Sequence, residues 1–237
     1  MIVPSIEPSV CQVWWARPGD AREAHTRMMT GPERDRADAY RRPVDRNRFI
    51  VGCATSRLAC STALGIAADD VALRRECQDC QRPHGKPRLV DDALHLSVSH
   101  AGDWVVVAVS PSAEVGIDVE RVDPRAVSTI VSALGLPPGT EADAAFRAWV
   151  RLEAALKATG DGLRVDPADV SFTPTADGTE VCVGERPAVI MQVHELSPDE
   201  DHRVAVAIES ITAIQVRQYS ASSLLETNLN TILWTVH

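Results

Sequence analysis

The sequence predicts an α+β protein of two similar lobes, each with helices packed on an antiparallel sheet. Three observations predict it. Each half of the chain supplies helical segments followed by strands, the arrangement of α+β domains rather than of alternating βα units. Gly and Pro punctuate those segments where helices must stop and strands must turn. The 237 residues, 45% hydrophobic and 24% charged, are enough for one large domain or two small ones.

Taken in order, Val10 to Trp15 reads as a strand, and Pro18-Gly19-Asp20 starts a helical stretch. Pro32–Tyr40 and Val44–Leu64 are two further helical segments. The second places Phe49, Cys53 and Cys60 at helical spacing and stops at Gly65. From Leu94 the period changes to two. Leu94, Leu96 and Val98 alternate, Trp104–Val109 is a nearly continuous apolar run, and Val115–Val122 alternates again, which makes three strands. A helical stretch over Arg125–Leu134 precedes a longer helix over Glu141–Thr159, closed by Gly160. Strands are expected at Val170–Phe172, Glu180–Val183, Ala188–Val193 and Arg203–Glu209. After Ser210, Ser223 with Glu226 fits a capping box, and Leu225, Leu229, Ile232 and Leu233 suit one face of a helix. The boundaries expected are 1–112 for the first lobe, 113–210 for the second and 211–237 for a tail.

The net charge of -9 conceals a gradient. Residues 1–100 carry 15 basic and 13 acidic side chains, net +2, whereas residues 101–237 carry 9 and 20, net -11. An anionic ligand would meet the first half. The overall acidity argues against nucleic acid and anionic membranes as partners, because both call for a basic surface. No apolar run reaches the ~20 residues of a membrane helix, and Pro4 and Pro8 interrupt a start that has no basic residue, so the expected location is the cytoplasm. There the six cysteines stay reduced. Cys77-x-x-Cys80 with His84 nearby admits a zinc site or a plain turn; the turn is favoured, because no second ligand pair follows. Of the 24 cations only Lys86 and Lys157 are lysine. A chain that writes Arg 22 times and keeps two Lys points to a compact ammonium at both places.

Four short motifs carry chemistry. In Gly116-Ile117-Asp118-Val119-Glu120 the strand alternation sets Asp118 and Glu120 on one face, where two carboxylates need a raised pKa, a basic partner or a hard divalent cation. On the helix that follows, Trp149, Leu152 and Leu156 form an inward stripe, and Glu153 and Lys157 share the face beside it at i and i+4. Pro83-His84-Gly85-Lys86-Pro87 holds the other lysine on a restricted turn. Leu96-Ser97-Val98-Ser99-His100 ends a strand in a hydroxyl and an imidazole. A Ser99–His100–Asp118 triad is disfavoured there, because neighbours on a strand face opposite ways. Taken singly, the carboxylate pair also reads as an exposed edge, and the Glu153–Lys157 pair as a surface ion pair of a few tenths of a kcal/mol.

The order of these motifs, G-K-P, S-x-S-H-x-G-x-W, G-I-D-x-E and W-x-x-x-E-x-x-x-K, resembles the 4'-phosphopantetheinyl transferases of the pseudo-dimeric type that activates peptide and polyketide synthetase carrier domains. The resemblance runs from about Pro32 to Gly162. It implies two lobes related by a pseudo-twofold axis with coenzyme A in the cleft between them, a basic first lobe that meets its phosphates, and a second lobe that supplies metal ligands and catalytic groups. Carried over by position, it implies Asp118, Glu120 and Glu153 as ligands of Mg²⁺, with Mn²⁺ as the alternative ion. It implies Lys86, Ser99, His100, Arg48 and Arg34 as coenzyme A contacts, and Glu153, Lys157 and Asp118 as the catalytic set. The reaction implied is attack of a serine of an apo acyl or peptidyl carrier protein on coenzyme A, by a monomer, with release of adenosine 3',5'-bisphosphate.

One position departs from the pattern. The family commonly has Lys directly before the helix glutamate, where this chain has Leu152, so a phosphate contact is expected to be missing or replaced. Two other readings stand beside the transferase. Leu152 is the warrant for an inactive module that only binds coenzyme A or a carrier protein. Clustered carboxylates with a His would also suit a metal-dependent phosphoester hydrolase.

Overall fold

The computed structural model describes residues 6–76, 82, 85–90 and 92–226. Cys77, Cys80 and His84 lie outside the described residues, as does the expected helix beyond Glu226. The described chain runs β1 (Val10–Ala16), α1 (Gly31–Asp38), α2 (Pro43–Leu64), β2 (Leu73–Arg74), β3 (Arg88–Leu89), β4 (His95–Ala101), β5 (Trp104–Ser110), β6 (Val115–Arg121), α3 (Val127–Ala133), α4 (Ala142–Thr159), β7 (Val170–Thr175), β8 (Gly178–Val183), β9 (Val189–Leu196), β10 (His202–Glu209) and β11 (Gln215–Ser220). Short 3-10 turns, not the expected helix, follow Pro18.

The fold is α+β. One sheet has the strand order β11-β1-β5-β4, a second β6-β10-β9-β8-β7, and β2 and β3 form a separate pair. All neighbours are antiparallel except β1 and β11. That parallel pair corrects two expectations. The first sheet is mixed rather than wholly antiparallel, and the segment from 211 onward, expected as a tail, begins with a strand of that sheet. Its register sets Tyr219 opposite Trp14, and the two rings stack at 4.8 Å between centroids.

Each sheet carries one long helix. On the first, Val51, Ala54 and Leu58 of α2 pack on Leu96, Val105, Val107 and Val109. The alternate residues Val106 and Ala108 face the other way, toward Ile117, Val119, Val204 and Val206 of the second sheet. Strand β5 is therefore covered on both faces, which is why its sequence reads as a continuous apolar run rather than an alternating one. On the second sheet Leu152, Ala155 and Leu156 of α4 pack on Ala205, Ala207 and Met191. Both long helices end on a left-handed glycine, Gly65 and Gly160, whose N–H closes the last turn. The edge strands β4 and β6 meet where the sheets adjoin, and there the Ile117 N–H donates to Ser97 Oγ at 3.1 Å. Among the described residues no helix is long and apolar enough to cross a membrane.

Candidate active site

The site is built where α4 lies on β6. A Cβ on Gly116 would stand 1.9 Å from the Ala154 carbonyl oxygen and 2.4 Å from the Ala158 nitrogen, so only glycine lets the helix backbone come this close to the strand. Gly116, Asp118 and Glu120 share the strand face turned to α4, so the close approach brings Asp118 against the helix that carries Glu153 and Lys157. Ala205 and Ala207 on β10 keep the adjoining face low.

Lys157 does not pair with Glu153 on its own helix. Its Nζ reaches across to β6 and donates to Asp118 Oδ1 at 2.6 Å, to Ser99 Oγ at 3.0 Å and to the Ile117 carbonyl at 3.2 Å. Ser99 Oγ in turn donates to Asp118 Oδ1 at 2.8 Å. Asp118 is only 3% exposed, and its second oxygen, Oδ2, is buried with no hydrogen-bond partner. Burial, then the Asp118 charge, push the Glu120 carboxyl up to about 7 against the pull of Lys157. The same two causes raise Glu153. His100, next to Ser99, is exposed on the wall of the cleft and takes no part in this network.

A cleft of about 690 Å³ opens beside Lys157 and runs between the two lobes. Among the described residues that line it, seven are Lys or Arg and two are acidic, which makes its wall electropositive. Arg48, Lys86 and His100, the positions that the resemblance singled out, are in that wall. Arg48 is anchored by Asp45 at 2.6 Å and by the Gly102 carbonyl. Protein around the His100 imidazole, then the Arg48 and Lys157 charges, hold its pKa down. Arg34 is not brought to the cleft: it is exposed and donates to the Met29 carbonyl, while Arg36, two residues on, lines the wall. Ser99 is bonded to Asp118 and Lys157 rather than held open to the cleft.

Arg75, Arg88 and Arg164 also line the cleft, and sequence reasoning did not single them out. Arg88 lies two residues after Lys86, a spacing that places both on one side of an extended segment, and that signal was readable. Arg75 and Arg164 sit in short connections with no motif around them. Leu152, where a cation was expected, is 2% exposed within the core between α4 and the second sheet. Arg151 does not replace it, for its guanidinium lies over the Phe172 ring and within 4.0 Å of Glu195.

The acids fit a hard divalent cation by charge rather than by preformed geometry. Among the described residues no three His, Cys, Asp or Glu side chains are gathered closely enough to hold a metal ion. Asp118 Oδ2 nevertheless has an unused, buried lone-pair donor, and Glu120 and Glu153 are two carboxylates whose charged forms are penalised by their neighbours. A bound cation relieves both conditions. Mg²⁺ takes oxygen donors and commonly shares them between one or two carboxylates and phosphate oxygens.

Two family models match the chain in tandem. One, described as 4'-phosphopantetheinyl transferase, N-terminal, matches residues 14–112, and the other, described as the 4'-phosphopantetheinyl transferase superfamily, matches residues 114–207. Among curated proteins, the 4'-phosphopantetheinyl transferase of Bacillus subtilis is 28% identical over 209 residues, 82% of this chain and 89% of that one. The 4'-phosphopantetheinyl transferase HetI of Nostoc is 26% identical over 214 residues, 82% and 86%. A Synechocystis protein named for the same activity is 28% identical over 150 residues, 57% of this chain and 58% of that one.

Proposed function

Because the chain belongs to the 4'-phosphopantetheinyl transferase superfamily, we propose that it transfers the phosphopantetheine arm of coenzyme A to a serine of an apo acyl or peptidyl carrier protein. The observation that carries this reading is the position of the acidic cluster of Asp118, Glu120 and Glu153 beside an electropositive cleft, with Lys157 between the two. The cations of the cleft wall would take up the phosphates of coenzyme A, with Arg48, Lys86 and His100 as the contacts supported by both motif and position. Asp118, Glu120 and Glu153 would hold Mg²⁺. When bound, Mg²⁺ supplies charge neutralisation on the pyrophosphate.

The rest belongs to the chain. Glu153, its pKa raised by burial and by Asp118, takes the proton of the incoming serine hydroxyl. The serine oxygen forms a bond to the phosphorus that bears the pantetheine arm, and the bond from that phosphorus to the bridging oxygen breaks. Adenosine 3',5'-bisphosphate leaves with the bonding pair. Lys157 would balance the charge that builds on the leaving phosphate, and its ammonium is held by Asp118 and Ser99. The division into a phosphate-binding lobe, 1–112, and a catalytic lobe, 113–210, is part of the same reading, as is a monomer working in the cytoplasm. Free thiols at Cys11, Cys53 and Cys182 accord with a reducing compartment.

The test is to incubate the protein with coenzyme A, Mg²⁺ and a panel of apo carrier proteins, then measure carrier mass. A phosphopantetheine mass gain that a chelator abolishes is the expected result. Coenzyme A binding with no mass gain on any carrier would leave a binding module, and release of inorganic phosphate or free nucleotide without carrier modification would leave a hydrolase.

A further inference from the structure

Lys86 meets two groups outside the proposed catalytic set. Its Nζ donates to Glu114 Oε2 at 2.6 Å and to the Ala158 carbonyl at 3.0 Å. Glu114 immediately precedes β6, and its own carbonyl accepts the Glu209 N–H at 2.9 Å, so its backbone is fixed by the end of β10. Ala158 is in the last turn of α4, where carbonyls lack helical partners and favour a cation. Lys86 thus ties a turn of the first lobe to the strand and helix that carry Asp118, Glu153 and Lys157.

The charge balance there is specific. Glu114 also binds Arg88, and His95 Nδ1 lies 3.5 Å from its Oε1. One carboxylate therefore serves two permanent cations, and both cations line the cleft. The Lys86 side chain is 13% exposed. Burial pushes its ammonium down, and the hydrogen bond and charge of Glu114 pull it back up. An ammonium has three N–H donors. Among the described residues two go to Glu114 and Ala158, which leaves one for the cleft. Without Glu114, Lys86 would sit beside Arg88 with only the weaker pull of the Glu209 charge to offset burial, and it would swing away or lose its proton.

We infer that Glu114 is a positioning residue that holds the Lys86 ammonium at the cleft wall, where it contacts a phosphate oxygen of the ligand. The inference rests on coenzyme A as the ligand proposed above. Glu114 also holds Arg88, so the share of its effect that runs through Lys86 is the share that disappears when Lys86 is removed.

A double-mutant cycle tests this: wild type, Glu114→Gln, Lys86→Met and the double variant, with coenzyme A affinity from calorimetry and KM and kcat from carrier modification. Loss of the outer partner that orients a metal ligand costs about 10–100-fold; by the same logic Glu114→Gln should weaken coenzyme A about tenfold, with the loss in KM rather than kcat. The loss caused by Glu114→Gln should be clearly smaller in the Lys86→Met background than in the wild type, any remainder running through Arg88. Additive losses, or Glu114→Gln binding coenzyme A as tightly as wild type or more tightly, overturn the inference. Thermal melts identify folded variants. Should Glu114→Gln fail to fold, the cycle is run with Glu114→Asp, which keeps the charge and draws it back from Lys86. Wild type that does not bind coenzyme A removes the functional reading beneath the inference; wild type that binds it with an additive cycle removes the inference alone.

Discussion

Lys157 Nζ stands 2.6 Å from Asp118 Oδ1, on a strand of the opposite layer rather than on the Glu153 of its own helix. The pairing sets one positive charge against three carboxylates, and Glu120 and Glu153, both raised by burial and by Asp118, are the two whose charged forms a divalent ion would favour. Asp118→Asn tests it with little change of shape. Loss of one catalytic electrostatic group costs about 10²–10³ in rate, and carrier modification should fall by at least that much while the far-ultraviolet spectrum stays native. Transfer within a few fold of wild type would remove Asp118 from the machinery.

Gly116→Ala separates the helix–strand approach from the chemistry. The new methyl would overlap the Ala154 carbonyl and the Ala158 amide, both backbone atoms of α4, so the helix must back away. Overpacking of this kind costs about 1–3 kcal/mol or more. Urea denaturation should show that loss. Activity should fall further than the remaining folded fraction explains, because Glu153 and Lys157 move with the helix.

The parts of this site that were legible in sequence are those set by period. Strand alternation put Asp118 and Glu120 together, and helical spacing put Glu153 and Lys157 on one side of α4. What period cannot show is which partner wins, and Lys157 chose Asp118 because Gly116 admits the helix. Glu114 lies 28 residues from Lys86, and nothing local joins them. β11 escaped for a different reason. In Gln215-Val216-Arg217-Gln218-Tyr219-Ser220 only Val216 and Tyr219 are apolar, so the segment carries little pattern, and its pairing is fixed by the free edge of β1. Arg34 and Arg36 differ by about 200° around α1, so a shift of two residues in register exchanges the exposed face for the cleft.

Metal should register as stability. A ligand that binds only the folded state adds about 2.7 kcal/mol at a hundred times its Kd. With coenzyme A present, Mg²⁺ should raise the melting temperature of the wild type, and a chelator should reverse the rise. Glu120→Gln removes a carboxylate that burial and Asp118 now hold at about 7. It should melt no lower than wild type without metal, yet show little or no gain with Mg²⁺. An undiminished gain would exclude Glu120 as a ligand.

A final prediction concerns a buried ion cluster away from the acidic site. Glu33 on α1 bonds Arg57 at 2.7 Å, with Arg75 at 3.5 Å, and Arg57 and Glu33 are both nearly inaccessible. Burial alone would raise the Glu33 carboxyl, but the Arg57 charge, the Thr30 N–H and Arg75 together hold it below its ordinary 4.5. A carboxyl depressed in the folded state contributes stability that is fully present above 4.5 and is lost as the pH falls through the folded value. Glu33→Gln leaves two arginines facing a neutral amide. Breaking a buried pair from one side costs about 3–5 kcal/mol, and urea denaturation at about pH 7 should show a loss of that order. The gap should narrow on going to about pH 3, because below 4.5 the unfolded wild type takes up a proton that the folded protein binds less readily. A gap that stays constant between the two pH values would mean that Glu33 stabilises the fold by shape rather than by its charge.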